Sequence, residues 1–156
     1  MDNVPHHHLG IDIGSTTAKI VLLNTQEETV FSSYQRHNTE TLLTLVSMLK
    51  EAIDTLGDIP VDYLITGSAG MGIAEKFDMP FIQEVVASAE VIHQRYPEVR
   101  TLIDIGGEDA KIIFFHYDDV TRQLIASDMR MNGVCAGGTG AFIDEIAQLL
   151  KIPVEE

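Results

Sequence analysis

Two short acidic turns, each marked by glycine, constrain the fold of this chain more than any other feature of its sequence. The first lies in Gly10–Lys19 (GIDIGSTTAK) and the second in Asp104–Lys111 (DIGGEDAK). Each turn follows an apolar run that carries an Asp near its end, and each leads into a second β-rich run, which is typical of a β-hairpin. The same unit at two distant points of the chain indicates an α/β architecture that is duplicated.

The apolar patterns predict the element order β-β-β-α-β-α-α, followed by β-β-β-α. The predicted strands cover residues 9–13, 18–24, 29–36, 61–66, 101–105, 111–117 and 123–131, and the predicted helices cover residues 42–56, 73–77, 84–96 and 141–150. Thr39 is predicted to cap the first helix and Gly57 to end it. We therefore assign residues 1–98 to a complete first lobe and residues 99–156 to the beginning of a second lobe, and we expect a longer protein to contain the chain.

Composition excludes several classes of partner. The formal net charge of −14 argues against nucleic acid and anionic membranes, since both require a basic surface. No apolar run approaches the ~18 residues that a membrane-spanning helix needs. The single cysteine, Cys135, excludes an internal disulfide and favours the reducing cytoplasm as the compartment.

The first turn offers groups that suit a phosphate and a divalent cation. Its candidate phosphate-binding residues carry a flexible backbone, a hydroxyl group or an ammonium group: Gly14, Ser15, Thr16, Thr17 and Lys19. Asp12 is a carboxylate suited to Mg²⁺, usually through water. Lys19 either neutralises phosphate or points to solvent. Taken alone, such a run is also common in ordinary hairpins.

The second turn strengthens the interpretation of the first turn as a binding site. Asp104, Gly106 and Gly107 repeat the same chemistry at the start of the second β-β-β block. A hairpin does not require an Asp beside apolar isoleucine, because a buried carboxylate calls for a cation or for several hydrogen-bond donors. The pair of turns therefore predicts a site for Mg²⁺ and the phosphates of ATP or ADP.

The lone cysteine lies in a glycine-rich segment, residues 132–140, immediately before the last predicted helix. A thiolate at Cys135 would gain from the helix N-terminus and from free amides, whereas a lone cysteine is more often a small, inert apolar side chain. A redox-active thiol and a ligand of a metal cluster are further interpretations. Gly138 and Thr139 of the same segment either approach the nucleotide or serve the fold alone.

Four segments together resemble the BadF/BadG/BcrA/BcrD ATPase family, within the superfamily of acetate kinase, sugar kinases, Hsp70 and actin: GIDIGSTTAKIVLL, ITGSAG, LIDIGGEDAKII and MNGVCAGGTGAFIDEIA. The family contains ATP-dependent activators of 2-hydroxyacyl-CoA dehydratases and the ATPase subunits of benzoyl-CoA reductases. The resemblance implies a duplicated ribonuclease-H-like, actin/Hsp70-type ATPase fold with Mg-ATP between the lobes. It also implies that Asp12 and Asp104 flank the metal and the attacking water.

The resemblance gives a meaning to two further residues. Glu84 begins the helix that links the lobes, near the place where the superfamily often carries a water-orienting residue, although a Glu there also simply stabilises a helix N-terminus. In the family's activators, the cysteine that corresponds to Cys135 helps to bind one [4Fe–4S] cluster, which two subunits share with two cysteines each. The family's second cysteine would lie beyond Glu156, so we expect these 156 residues alone to hold no stable cluster. Because much of the adenosine pocket would come from the rest of the second lobe, we also expect them to bind nucleotide weakly and to be inactive.

The resemblance therefore implies a homodimeric ATPase that passes an electron to a 2-hydroxyacyl-CoA dehydratase or a reductase-type acceptor. Glu108, Gly133 and Val134 depart from the small activators, which usually carry Gln and Asp-Lys at these positions, and they resemble the long, multi-domain relatives instead. Two alternatives within the superfamily are a small-molecule kinase and a nucleotide-dependent scaffold without redox chemistry.

Overall fold

A computed structural model describes residues 6–107, 109–120, 123–132 and 139–153, and for residue 123 it describes the backbone alone. The chain divides into two compact units, with the boundary between Gln83 and Glu84. The first unit contains β1 (His7–Ile13), β2 (Thr17–Leu23), β3 (Thr29–Arg36), α1 (Thr41–Leu56), β4 (Val61–Thr66) and α2 (Gly70–Phe77). The second contains α3 (Glu84–Arg95), β5 (Thr101–Ile105), β6 (Ala110–Asp118), β7 (Gln123–Met131) and α4 (Gly140–Leu150). The predicted order of elements is confirmed.

The first unit is built on a four-stranded sheet in the order β3-β2-β1-β4. β1 and β2 are antiparallel, as are β2 and β3, whereas β4 runs parallel to β1. Alternate residues of β1 and β2 enter the core with residues of α1 and α2: Leu9, Ile11, Ile13, Ala18, Ile20, Leu22, Leu45, Met48, Ala52, Ile73 and Ala74. Because side chains alternate along a strand, Asp12 and Lys19 lie on the opposite face of the sheet.

The second unit is built on a three-stranded antiparallel sheet in the order β5-β6-β7. Its core is small and contains Ile92 of α3 with Ile113, Phe115 and Leu124 of the strands. α3 thus belongs to the same compact unit as the second hairpin. The lobe boundary at residue 98 stays a prediction.

The sequence predicted the end of α1 correctly but not its N-cap. Gly57 ends the helix as predicted, with a φ of 82° and its N–H donated to the carbonyl of Ile53. The prediction that Thr39 caps the helix is wrong, because the N-cap is Glu40 and no side chain makes a capping bond there. Thr39 instead takes a left-handed φ of 69°, and its hydroxyl donates to the carbonyl of Asn38.

Within the part of the chain that the structure describes, no helix combines the length and the apolar character needed to cross a membrane.

Candidate functional site

The two acidic turns close with the same backbone hydrogen bond. In the first turn (residues 14–17), the Gly14 N–H donates to the Thr17 carbonyl at 2.9 Å. In the second turn (residues 106–109, of which 108 is not described), the Gly106 N–H donates to the Asp109 carbonyl at 2.8 Å. The repeat in the sequence, D-I-G-x-x-x-A-K, is therefore matched by a repeat of the backbone bond that closes each turn.

The strand register gives each turn an acidic residue opposite a lysine. Asp12 pairs with Lys19 across β1 and β2, and Asp104 pairs with Lys111 across β5 and β6. Side chains at opposed positions of an antiparallel pair lie on the same face and within reach of each other. Each hairpin therefore presents one carboxylate and one ammonium group beside its turn.

In the first hairpin the two charges contact each other directly. Lys19 Nζ lies 2.7 Å from Asp12 Oδ2, and the side chains are 40% and 33% exposed. Lys19 Nζ also lies 5.6 Å from the centre of the Tyr34 ring. Asp12 is thus half-buried rather than buried, and in this structure the Lys19 ammonium group compensates its charge, where the sequence predicted a cation or several donors.

The segment that follows β4 closes against the end of β1. The Ala69 N–H donates to the Ile13 carbonyl at 2.9 Å. Gly67 has a φ of 101°, and a Cβ atom there would lie 2.2 Å from the Ile13 carbonyl oxygen, so only glycine fits. The ITGSAG segment therefore fixes the backbone immediately before Gly14, a role that sequence reasoning did not assign to Gly67.

Thr66, the last residue of β4, adds an unused polar group at this edge of the sheet. The parallel register places Thr66 beside Asp12. Its Oγ1 is buried and has no hydrogen-bond partner among the described residues. A buried hydroxyl without a partner is uncommon and calls for a ligand, a water or an ion. The hydroxyl beside a carboxylate fits the oxygen ligands that Mg²⁺ and its bound waters accept.

The second turn is held by the start of α4. The N–H groups of Gly140 and Ala141 donate to the carbonyls of Gly106 and Gly107 at 2.9 and 2.8 Å. Thr139, the N-cap of α4, is fully buried. Gly107 and Thr139 are therefore placed in one local unit, whereas Gly138 and Cys135 lie outside the described residues.

Although Asp104 lies opposite Lys111 in the strand register, the Lys111 ammonium group forms its ion pairs with two other carboxylates. It forms ion pairs with Glu84 of α3 and, at 3.3 Å, with Asp109 of the second turn, and its side chain is only 12% exposed. Burial alone would lower the pKa of Lys111, but the hydrogen bonds and charges of Glu84 and Asp109 outweigh it and raise the pKa above its usual value. Sequence reasoning missed Lys111, although its position matches that of Lys19.

These contacts leave Asp104 in a distinct position. Glu84 is brought to the second turn by Lys111 and is more than a surface residue at a helix N-terminus. Asp104 is half-buried, and no described residue forms a hydrogen bond or an ion pair with its carboxylate. No group of three or more His, Cys, Asp or Glu side chains with metal-ligand geometry occurs in residues 6–107, 109–120, 123–132 and 139–153.

Comparisons with known proteins place this arrangement in context. Residues 9–156 match the family model described as the BadF/BadG/BcrA/BcrD ATPase family. The chain is 32% identical over 157 residues to the 2-hydroxyisocaproyl-CoA dehydratase activator of Clostridioides difficile, covering 95% of this chain and 54% of that protein. It is 32% identical over 154 residues to the (R)-2-hydroxyglutaryl-CoA dehydratase activating ATPase of Acidaminococcus fermentans, covering 95% of this chain and 55% of that protein.

The solved structures give the same result. The chain superposes on the Clostridium difficile activator with bound ADPNP with a TM-score of 0.78 and 30% identity, covering 95% of this chain and 53% of that one. The predicted ribonuclease-H-like, actin/Hsp70-type ATPase fold is confirmed. The chain spans about half the length of the curated relatives it matches.

Proposed function

This chain belongs to the BadF/BadG/BcrA/BcrD ATPase family, and we propose that its two turns bind the phosphates of Mg-ATP in an activator of a 2-hydroxyacyl-CoA dehydratase. The observation that carries the proposal is the pair of hairpins that close with the same backbone bond, at Gly14 and at Gly106. Backbone amides and hydroxyls of such loops form concave sites for anions. The net charge of the chain opposes an anionic ligand, so recognition has to come from these local groups.

The space around Gly14 supports a ligand at the first turn. A Cβ atom at Gly14 would meet nothing closer than the Thr17 carbonyl oxygen, at 3.6 Å. The fold therefore accepts a side chain at this position, and glycine is needed only if something else approaches the backbone. We assign that role to a phosphate, held by the amides and hydroxyls of Ser15, Thr16 and Thr17.

The residues that would hold Mg²⁺ are Asp12 and Asp104, assisted by the Thr66 hydroxyl. Asp104 has no partner among the described residues, and Thr66 Oγ1 is buried without one. Mg²⁺ favours this kind of site because it retains several waters and takes one or two carboxylates together with substrate phosphates. Lys19 would exchange its contact with Asp12 for one with the incoming phosphate.

For hydrolysis we assign Glu84 to orienting the attacking water. Phosphoryl transfer requires positioning and charge stabilisation rather than covalent chemistry from the protein. Glu84 meets the first requirement, because Lys111 binds it and also binds Asp109 in the second turn. Lys111 therefore couples the position of Glu84 to the loop that we propose to contact phosphate.

The redox part of the proposal concerns the intact protein. In a homodimer in the cytoplasm, Cys135 would be one ligand of a [4Fe–4S] cluster, which supplies a low-potential electron to the dehydratase or reductase partner. The described residues do not include Cys135, and this assignment is supported by the family and by the names of the relatives. Ala141 of α4, six residues after Cys135 in the sequence, donates its N–H to the carbonyl of Gly107 in the second turn.

One experiment tests the whole proposal. The intact protein is purified without oxygen, and its ATP turnover, iron and acid-labile sulfide are measured beside the variants Asp104→Asn and Cys135→Ser. We expect turnover to fall in Asp104→Asn with iron retained, and about four iron per dimer to be lost in Cys135→Ser. ATP turnover without iron in the wild type would contradict the redox assignment. Transfer of phosphate to an alcohol or acid would favour a kinase, and nucleotide-dependent assembly without turnover would favour a scaffold.

A further inference from the structure

We propose that His37 is a positioning residue for the nucleotide: it fixes the peptide between Gly14 and Ser15 so that the Ser15 N–H faces the bound phosphate. This inference rests on the proposed binding of nucleotide by the first turn. It adds a residue that lies outside both turns and that no motif of the sequence singles out.

His37 reaches the turn because of the strand register. β3 pairs with β2 so that Arg36 lies opposite Thr17, the last residue of the first turn. His37 follows at once, and its backbone N–H donates to the Thr16 carbonyl at 3.1 Å. The end of β3 therefore lies directly against the first turn.

The side chain of His37 makes a second bond to the same turn. The ring is buried, with 5% of the residue exposed, and Nε2 lies 3.1 Å from the Gly14 carbonyl oxygen. On the other side of the ring, the Thr39 N–H lies 3.2 Å from Nδ1. A backbone N–H can only donate, so Nδ1 accepts and carries no proton. The proton of the neutral ring is then on Nε2, which donates to the Gly14 carbonyl.

Holding the Gly14 carbonyl also orients the next amide. A trans peptide is planar, and its C=O and N–H groups point in opposite directions. Because the ring binds the Gly14 carbonyl, the Ser15 N–H points away from His37. Glycine allows this peptide to rotate more freely than any other residue would, so the bond from the ring replaces the restraint that a side chain at Gly14 would have given.

The backbone after His37 is strained in a way that serves this bond. Asn38 and Thr39 both take left-handed φ angles, 46° and 69°. This region is unfavourable for a β-branched residue such as Thr39. Local strain of this kind persists where the surrounding structure requires it and is concentrated at functional sites. Here the turn brings the Thr39 N–H onto Nδ1, which fixes the protonated nitrogen on the side of Gly14.

The test uses the intact protein and three variants. His37→Phe keeps a planar ring and removes both hydrogen bonds, His37→Gln keeps an N–H donor, and His8→Gln changes an exposed histidine of β1 as the matched control. The dissociation constant for Mg-ADPNP and the KM for ATP are expected to rise about tenfold in His37→Phe, the effect of one lost hydrogen bond to the ligand. kcat at saturating ATP should change little, His37→Gln should recover most of the affinity, and His8→Gln should match the wild type.

The outcomes separate this inference from the proposed function. If the wild type and His37→Phe bind Mg-ADPNP equally well, the positioning role of His37 is overturned and nucleotide binding stands. If the wild type does not bind Mg-ADPNP, both are overturned. If His37→Phe does not fold, the wild-type protein is used for the test. ¹⁵N NMR of the His37 ring should then show a protonated Nε2 and an unprotonated Nδ1, and the chemical shift of the Ser15 amide should change when nucleotide binds. The opposite tautomer would overturn the inference.

Discussion

The two turns begin from the same eight-residue pattern and use their lysines in opposite ways. In the first, Lys19 contacts the Asp opposite it in the hairpin and remains 40% exposed. In the second, Lys111 is nearly buried between Glu84 and Asp109 and leaves Asp104 without a partner among the described residues. The same sequence pattern thus gives an exposed ion pair that can exchange partners in the first hairpin, and a nearly buried lysine that joins two carboxylates in the second.

The supports of the two turns differ as well. The first is held by β3 and by the Gly67–Ala69 segment that follows β4, whereas the second is held by the N-terminus of α4. We interpret the first turn as the adaptable half, whose lysine can move to a phosphate, and the second as the rigid half, which aligns Glu84 and Asp104.

The supports should respond very differently to one added methyl group. Gly67→Ala should destabilise the protein by about 4 kcal/mol or more, because the methyl group overlaps the Ile13 backbone at a positive φ. Gly140→Ala, whose Cβ would lie 3.2 Å from the Gly106 carbonyl oxygen, should cost about 1 kcal/mol. Urea denaturation measures both. Gly57→Ala is the control, since its φ is also positive but its surroundings are open, and equal losses for Gly67→Ala and Gly57→Ala would contradict the tight contact.

The lysines provide the second comparison. Lys111→Met should destabilise by about 2 kcal/mol, because it leaves two half-buried carboxylates without a cation. Lys19→Met should cost less than about 1 kcal/mol, as is usual for an exposed pair. Denaturant midpoints of the two variants settle the matter, and a larger loss for Lys19→Met would reverse the assignment of adaptable and rigid halves.

The glycines at the start of each turn should separate binding from folding. Gly14→Ala has room for its Cβ, so stability should change by less than about 1 kcal/mol while nucleotide affinity falls about tenfold or more. Gly106→Ala places its Cβ 2.6 Å from Asp109 Oδ1, so it should displace that carboxylate from Lys111 and lower stability as well. Calorimetric titration with Mg-ADPNP beside thermal melting distinguishes the two, and unchanged affinity in Gly14→Ala would argue against a phosphate at the first turn.

A smaller effect should appear at high pH. Because the folded protein raises the pKa of Lys111 above 10.5, the ion pairs contribute fully below that pH, and the contribution is lost as pH rises through the higher folded pKa. The difference in unfolding free energy between wild type and Lys111→Met should therefore be constant near neutrality and shrink in strongly alkaline solution. A difference that grows with pH would contradict the raised pKa.

The sequence predicted the fold well because its signals are local. The alternation of Leu9, Ile11 and Ile13 defines a strand with one buried face, and Gly57 ends α1 with a positive φ that glycine adopts readily. The error at Thr39 arose because a residue type that favours helix caps is engaged in a strained turn with His37. A capping propensity does not reveal which side chain a residue will contact, here the ring of His37 two residues earlier.

The candidate site was only partly predictable for the same reason. The spacing of the repeated pattern identifies Asp12, Gly14, Asp104 and Gly106. The bridge from Lys111 to Glu84, in contrast, joins residues 27 positions apart, which no local pattern indicates. The burial of His37 depends on the register of β2 and β3, which the sequence does not specify residue by residue. Lys111 was missed despite a usable signal, since it occupies the position of Lys19 in the repeated pattern.

Phosphate binding by both turns is read most directly by amide hydrogen exchange in the intact protein, measured with and without Mg-ADPNP. If both turns bind phosphate, exchange should slow in peptides that cover residues 14–17 and residues 106–109, and the change should be larger in the first, adaptable turn. At a Mg-ADPNP concentration that saturates the wild-type protein, the Asp104→Asn variant should lose most of this protection. Protection of only one turn, or of neither, would show that the two turns do not bind the nucleotide phosphates together.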